Sequence, residues 1–410
     1  MRRVLVCLLF TAPLFSQSIV PEEYQKRRAD LRKSLNGVMV LFGASESEDL
    51  HSGFFQSTNF LYLSGWREPG AVMILSPAEE ILFLPPRDLH TELYTGRKLG
   101  PEDADAPSKT GFAKVQPRGA LQATLLRLLE TAPRVYTETG DENAQKIKPL
   151  TVFHESGDAG HEIAKLRMLK SPAEIALIQK ATDATVAAHL AGWKALKPGV
   201  YEYEVASVMS NTYFSRGCER HAYAPIVGSG PNSITLHYMA NRRRVDSGEV
   251  VLMDVGAECG DYATDVTRTV PASGKFTSRQ REIYEIVLGA QKAAIAAIKP
   301  GVKIRGDKTS LQQIAMEYIN THGKDLHGDP LGKYFIHGLT HHVGLDVHDP
   351  SDNGDLAEGM IVTVEPGIYI PEENIGVRIE DTLLVTRDGS RNLSGALPRE
   401  VEEIEKLLAR

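Results

Sequence analysis

Glu249-Val250-Val251-Leu252-Met253-Asp254-Val255-Gly256-Ala257-Glu258-Cys259-Gly260-Asp261-Tyr262-Ala263-Thr264-Asp265-Val266-Thr267-Arg268-Thr269-Val270 reads as a β-hairpin with acids where a core strand should have none. Glu249 to Val255 is a strand with a strongly apolar centre, and Asp254 lies deep inside it. The chain turns near Glu258-Cys259-Gly260-Asp261 and returns as Tyr262–Val270. A two-residue loop at Cys259-Gly260 predicts that Asp254 faces Asp265 directly, with Cβ atoms about 5 Å apart. Like charges so placed destabilise a sheet. A cation between them turns that cost into a binding site.

A second hairpin repeats the pattern. Met360–Ile370 is a strand holding Glu365, Pro371-Glu372-Glu373-Asn374 is the turn, and Ile375–Val385 returns with Glu380. A turn centred on Glu372-Glu373 pairs Glu365 with Glu380. Just before it, His337-Gly338-Leu339-Thr340-His341-His342-Val343-Gly344-Leu345-Asp346-Val347-His348 carries four of the chain's 13 histidines. Such a cluster beside an acid pair points to chemistry. His237 precedes the first hairpin, after a Gly-Ser-Gly-Pro-Asn turn, and is weak evidence alone. Four carboxylates and one imidazole form a hard, oxygen-rich ligand set. It suits Mn²⁺ best, and Co²⁺, Fe²⁺ or Zn²⁺ less specifically. Four negative ligands balance two divalent ions, which can share a water, lower its pKa and polarise a carbonyl. The reaction class that follows is hydrolysis.

The rest of the chain is ordinary globular protein. At 410 residues it has room for two to three domains of about 150 residues. Apolar residues are 42% and charged residues 24%, with a net charge of −7. That balance argues against nucleic acid or an anionic membrane as partner. Met1-Arg2-Arg3, the apolar run Val4–Phe15 and Ser16-Gln17-Ser18 have the layout of a secretory signal peptide, residues 1–18. The run is too short to span a membrane. The mature chain is therefore expected to be exported, periplasmic or secreted, with no membrane attachment. Cys218 and Cys259 remain after cleavage. They are expected as free thiols, with a bridge left open in an oxidising compartment.

Residues 19–160 read as a first α/β unit. It has a helix at Glu22–Leu35, strands at Val38–Phe42, Ala71–Leu75, Ile81–Leu84 and Arg134–Thr137, a helix near 120–130 and a surface loop over 97–118. From 161 the pattern changes. Ser171-Pro172-Ala173-Glu174 is a helix start, with N-cap Ser, Pro at N1 and Glu at N3. That helix stops on Lys197-Pro198-Gly199-Val200, and a second, from Ser278, stops on Lys299-Pro300-Gly301-Val302. Each stop leads into another helix. Helix, stop, helix, hairpin thus occurs twice, which predicts internal pseudo-symmetry.

Asp254, Asp265, His341, Glu365 and Glu380, in this order, resemble the metal-binding set of the pita-bread metallopeptidases. That group includes methionine aminopeptidase, Xaa-Pro aminopeptidase (aminopeptidase P) and prolidase. Met253-Asp254-Val255-Gly256-Ala257-Glu258, Thr264-Asp265-Val266-Thr267-Arg268-Thr269, Glu365-Pro366-Gly367-Ile368-Tyr369 and Arg378-Ile379-Glu380-Asp381 are all similar to the family's phrases. Phe55-Gln56-Ser57-Thr58-Asn59-Phe60-Leu61-Tyr62-Leu63-Ser64-Gly65 resembles the N-terminal domain shared by aminopeptidase P and prolidase. The stretch Phe276–Tyr284 and the Val347-His348-Asp349 ending look more like aminopeptidase P. His342, at a position often aromatic in relatives, and the short loop between Tyr369 and Ile375 depart from the pattern.

The resemblance implies an α+β chain: an α/β N-terminal domain, then a pita-bread catalytic domain over 161–410. It implies an Xaa-Pro aminopeptidase acting on peptides with proline in second position. The alternatives are an Xaa-Pro dipeptidase, or a non-catalytic peptide-binding module on the same fold. It assigns Asp254, Asp265, His341, Glu365 and Glu380 to two divalent metal ions, with Asp265 and Glu380 bridging. Glu365 is also implied as the proton relay. His237 and His348 would steady the oxyanion or the scissile-bond atoms, and His337 would line the proline side. Arg378 lies two residues before Glu380 and is expected to clamp Asp254. A homo-oligomer is left open.

Overall fold

The structure is a computed structural model and describes residues 18–46, 53–352 and 354–409. Most of the segment expected as a signal peptide, residues 1–17, lies outside the described residues. After the opening helix Pro21–Ser34, strands β1 (Val38–Phe42), β2 (Val72–Leu75), β3 (Glu80–Leu84), β4 (Val115–Pro117), β5 (Arg134–Thr137) and β6 (Glu155–Asp158) build one sheet. Its order is β4-β3-β2-β1-β5-β6. The central strands β1 and β2 are buried at every position, as their unbroken apolar runs require. The stretch 97–118 is not all loop: it holds a short helix, Ala106–Thr110, and β4. The helix Thr58–Ser64 also escapes periodicity, because Phe60, Leu61, Tyr62 and Leu63 are all buried and leave no polar face.

Two long helix pairs follow. Pro172–Ala195 packs on Glu202–Phe214, and Ser278–Ala297 packs on Leu311–His322. The first helix begins on a complete capping box: Ser171 Oγ accepts from Glu174 N, and Glu174 Oε2 accepts from Ser171 N. Thr277 and Gln280 do the same for the third. Both Lys-Pro-Gly-Val stops place glycine in the left-handed region, Gly199 at φ 95° and Gly301 at φ 86°.

Between and after these pairs lie the hairpins. Strands β7 (Arg220–His221), β8 (Ile226–Ser229), β9 (Val250–Val255), β10 (Ala257–Cys259), β11 (Tyr262–Ala263) and β12 (Val266–Pro271) form two three-stranded sheets, β11-β10-β7 and β12-β9-β8. The turn is Gly260-Asp261, not Cys259-Gly260; both its residues have positive φ, 61° and 70°. The register therefore shifts, and Asp254 faces Thr267 rather than Asp265. The second hairpin has the expected register. Strands β13 (Ile361–Val364), β14 (Gly367–Ile370), β15 (Ile375–Arg378) and β16 (Asp381–Thr386) pair as β13 with β16 and β14 with β15. Glu365 and Glu380 sit opposite one another at the break between the two ladders. β17 (Gly389–Asn392) adds to the edge of β16.

Cys218 and Cys259 are joined by a disulfide, with Cα atoms 4.2 Å apart. This corrects the expectation of free thiols. The fold brings the end of the helix Glu202–Phe214 against β10, a proximity that sequence spacing cannot reveal. The bridge closes a loop of 41 residues, and chain entropy assigns such a loop about 4 kcal/mol. Replacing both cysteines by serine should lower the unfolding free energy by about 2–4 kcal/mol in urea titrations. An unchanged midpoint would show that the bridge adds nothing to stability.

Candidate metal centre

The two hairpins are joined back to back, and that junction builds the site. Glu380 N donates to Thr267 O, Arg378 N donates to Thr269 Oγ1, and Thr382 Oγ1 donates to Asp265 O. Behind them the fully buried Arg268 donates to Glu380 O at 2.6 Å and pairs with Asp381 at 2.7 Å. Arg399 also reaches Asp381, at 2.9 Å. This second cation and the first together hold the Asp381 carboxyl below its ordinary pKa, although burial acts to raise it. The histidine segment lies along β13: Glu365 N donates to Leu339 O, Thr363 N to His341 O, and Val343 N to Ile361 O. That pairing sets His341 beside Glu365.

His237, Asp254, Asp265, His337, His341, His348, Glu365, Arg378 and Glu380 all line one cleft of about 330 Å³. Every site residue that the resemblance implies is in it; His342 is buried outside it. His341 Nε2 lies 3.4 Å from Glu365 Oε1, 3.5 Å from Asp265 Oδ2 and 3.8 Å from Glu380 Oε1. Its Nδ1 sits 3.1 Å from His342 O, which leaves Nε2 free to face the acids. Oxygen atoms of Asp265 and Glu380 and a nitrogen of His341 lie within 4.8 Å of one another, close enough to share an ion.

Asp254 is held differently. Arg378 Nη2 stands 2.6 Å from its Oδ2. Arg378 is buried and also donates to Tyr369 Oη at 2.9 Å and Thr267 Oγ1 at 3.2 Å. Thr267 Oγ1 in turn donates to Glu380 at 2.6 Å. Tyr223 Oη contacts both Asp254 Oδ1 and Asp265 Oδ1. No spacing in the sequence points to Tyr223, Tyr369 or Thr267. The turn bearing His237 is anchored by the buried Glu202, which accepts from Ser229, Asn232, Tyr238 and Arg243 N. His237 and His348 are exposed in the cleft. His337 is fixed between Gly338 O and Tyr369 Oη, each at 2.8 Å.

The electrostatics favour a cation. Burial, then the neighbouring carboxylates, raise Asp265, Glu365 and Glu380 well above the usual carboxylate range. Glu380 Oε1 is buried without a hydrogen-bond partner. A buried acceptor in that state costs about 1–3 kcal/mol. The residues therefore fit divalent metal: hard oxygen donors, one oriented imidazole and a carboxylate oxygen with nothing else to bind.

The match to known proteins agrees with this geometry. Residues 176–387 match metallopeptidase family M24, and residues 24–136 match the N-terminal domain of aminopeptidase P. The chain belongs to metallopeptidase family M24. The Xaa-Pro aminopeptidase of Haemophilus influenzae is 37% identical to it over 94% of this chain and 97% of that protein. The Xaa-Pro aminopeptidase of Escherichia coli is 33% identical over the same shares. Aminopeptidase P from E. coli, solved with the inhibitor Pro-Leu, superposes with a TM-score of 0.84 at 31% identity. That match covers 95% of this chain and 98% of the other. The M24 member described here thus has the pita-bread fold with an N-terminal domain. It is a hydrolase of a family that works with divalent metal ions.

The carboxylate cluster predicts opposite effects of one substitution. In chelator-treated protein, Asp265→Asn should raise the melting temperature, because it removes one of several like charges. With metal at about 100 times its dissociation constant, wild type should gain about 2.7 kcal/mol and the variant far less. Scanning calorimetry with and without Mn²⁺ reads both. A variant that is less stable than wild type in chelator, and equally stabilised by metal, would contradict the picture.

Proposed function

We propose that this protein is an Xaa-Pro aminopeptidase, which releases the N-terminal residue from peptides with proline in second position. The observation that carries the reading is the single cleft in which four carboxylates, His341 and three further histidines meet. The relatives at 33–37% identity, named Xaa-Pro aminopeptidases, support it. Asp254 would hold one ion, His341 and Glu365 the other, and Asp265 and Glu380 would serve both. Mn²⁺ suits this hard set best. Two divalent ions bound there lower the pKa of a water molecule and polarise a carbonyl.

The chain's own residues supply the rest. Glu365 accepts a proton from the attacking water and passes it to the proline nitrogen as the bond breaks. His237 and His348, exposed in the cleft, donate hydrogen bonds to the developing oxyanion. His337, locked by Tyr369 and Gly338, lines the proline side. Arg378 holds the Asp254 carboxylate in place through their 2.6 Å contact. An Xaa-Pro bond has no N–H to offer, so recognition rests on shape and on the carbonyl.

The same reading makes residues 1–18 a removed signal peptide and places the mature chain in an oxidising compartment. The Cys218–Cys259 disulfide supports that placement, since such bonds are rare in reducing cytosol. It also divides the chain at residue 160, a point that falls inside the helix Ala159–Arg167, which packs on the N-terminal elements.

Purified protein with Mn²⁺ should cleave an Xaa-Pro-Yaa tripeptide, and Asp265→Ala should abolish this. Glu365→Gln should lower kcat by about 10²–10⁴. Preference for an Xaa-Pro dipeptide would move the reading to the dipeptidase; full activity of Asp265→Ala would remove the two-metal reading. Intact mass of exported protein should show a chain beginning at Ile19.

A further inference from the structure

Among the described residues, one arginine that lines the cleft has no ion-pair partner. Arg305 lies between the second Lys-Pro-Gly-Val stop and the helix Leu311–His322, and its side chain lines the cleft. The residue is exposed, and it forms no ion pair among the described residues. An arginine with so much solvent would ordinarily swing free. Here its base is pinned. The preceding Ile304 is buried, and its carbonyl accepts from Gln312 N at 3.1 Å. Gln312 Oε1 accepts from Leu339 N at 2.7 Å, which ties this loop to the histidine segment.

The guanidinium is seated against Gly338. A Cβ built on Gly338 would stand 1.8 Å from Arg305 Nη2 and 3.0 Å from Cζ, so any larger residue there would displace it. Gly338 directly follows His337, whose Nδ1 is 3.7 Å from Glu365 Oε2. The cation is therefore one residue beyond the imidazole that faces the reacting end of the cleft. Two bound divalent ions would balance the four carboxylates, and Arg305 then adds a positive charge to the cleft lining.

We propose that Arg305 anchors the free C-terminal carboxylate of short peptide substrates, and so selects Xaa-Pro-Yaa tripeptides over C-terminally blocked or longer chains. The inference rests on the Xaa-Pro aminopeptidase reading. Proline and one further residue span about 7 Å when extended. The carboxylate of a tripeptide thus emerges at the cleft mouth, beyond His337. Guanidinium meets carboxylate through two parallel hydrogen bonds, which an amide cannot reproduce.

The test compares kcat/KM for an Xaa-Pro-Yaa free acid and its C-terminal amide on Mn²⁺-loaded full-length enzyme. Wild type should favour the acid by about tenfold, mostly through KM. Arg305→Gln should bring the ratio near unity while amide turnover stays within about twofold. Arg305→Lys should keep part of the preference, and Arg305→Glu should reverse it. Raised salt should shrink the preference in wild type alone. The same acid-to-amide ratio in wild type and Arg305→Gln, with both substrates turned over, would overturn the proposal. Failure of wild type to cleave either peptide would instead bring down the aminopeptidase reading on which it stands.

Discussion

Four carboxylates share one cleft, and three of them are pushed far above their ordinary pKa by burial and by each other. Two unit charges 4 Å apart interact by about 4 kcal/mol at the effective dielectric of a protein surface. A fold with so many acids together is strained against itself unless something positive joins them. Part of the answer is in the chain: Arg378 lies against Asp254, and Arg268 with Arg399 surrounds Asp381 just behind Glu380. Those cations reach the back of the site and leave its front open. Glu380 Oε1 has no partner, and His341 Nε2 looks toward three acids at once. Ligand atoms of Asp265, His341 and Glu380 there lie within 4.8 Å of one another, close enough to share an ion.

The constraint extends beyond the cleft. His348 is followed by Asp349, whose buried carboxylate meets Arg167 at 2.6 Å and Lys170 at 3.0 Å. Burial works to raise Asp349, and the two cations outweigh it and hold it low. Arg167 also reaches Asp346 at 2.7 Å and Asn59 at 2.7 Å, and Thr58 donates to Asp346. Removing one member of such a buried group typically costs about 3–5 kcal/mol. The N-terminal domain is thereby tied to the segment that carries His341 and His348. Its place beside the catalytic domain follows from this polar seam, with the apolar contact of Tyr62, Leu177 and Val343 around it.

Much of this was legible in sequence, and for physical reasons. An acid inside an apolar strand has few explanations, so Asp254, Asp265, Glu365 and Glu380 announce themselves. The Pro371–Asn374 turn is marked by its own residues, and the register of the second hairpin follows. The first hairpin was misread by one residue because Gly260-Asp261, not Cys259-Gly260, takes the two positive φ values. Asp254 and Asp265 still meet, but through Tyr223 and a break in the strand rather than across a ladder. What depends on contacts between distant segments was not legible: the Cys218–Cys259 bridge, Tyr223 over both aspartates, and Arg305 laid against Gly338. The helix Thr58–Ser64, buried from Phe60 to Ser64, shows no period to detect.

The central claim is that the cluster of acids exists to hold two cations. Anomalous diffraction at the manganese edge, on crystals grown with Mn²⁺, tests it most directly. The account predicts two peaks in the cleft, one against Asp254, Asp265 and Glu380 and one against Asp265, His341, Glu365 and Glu380. A cleft with no peak, or peaks confined to the protein surface, would contradict it.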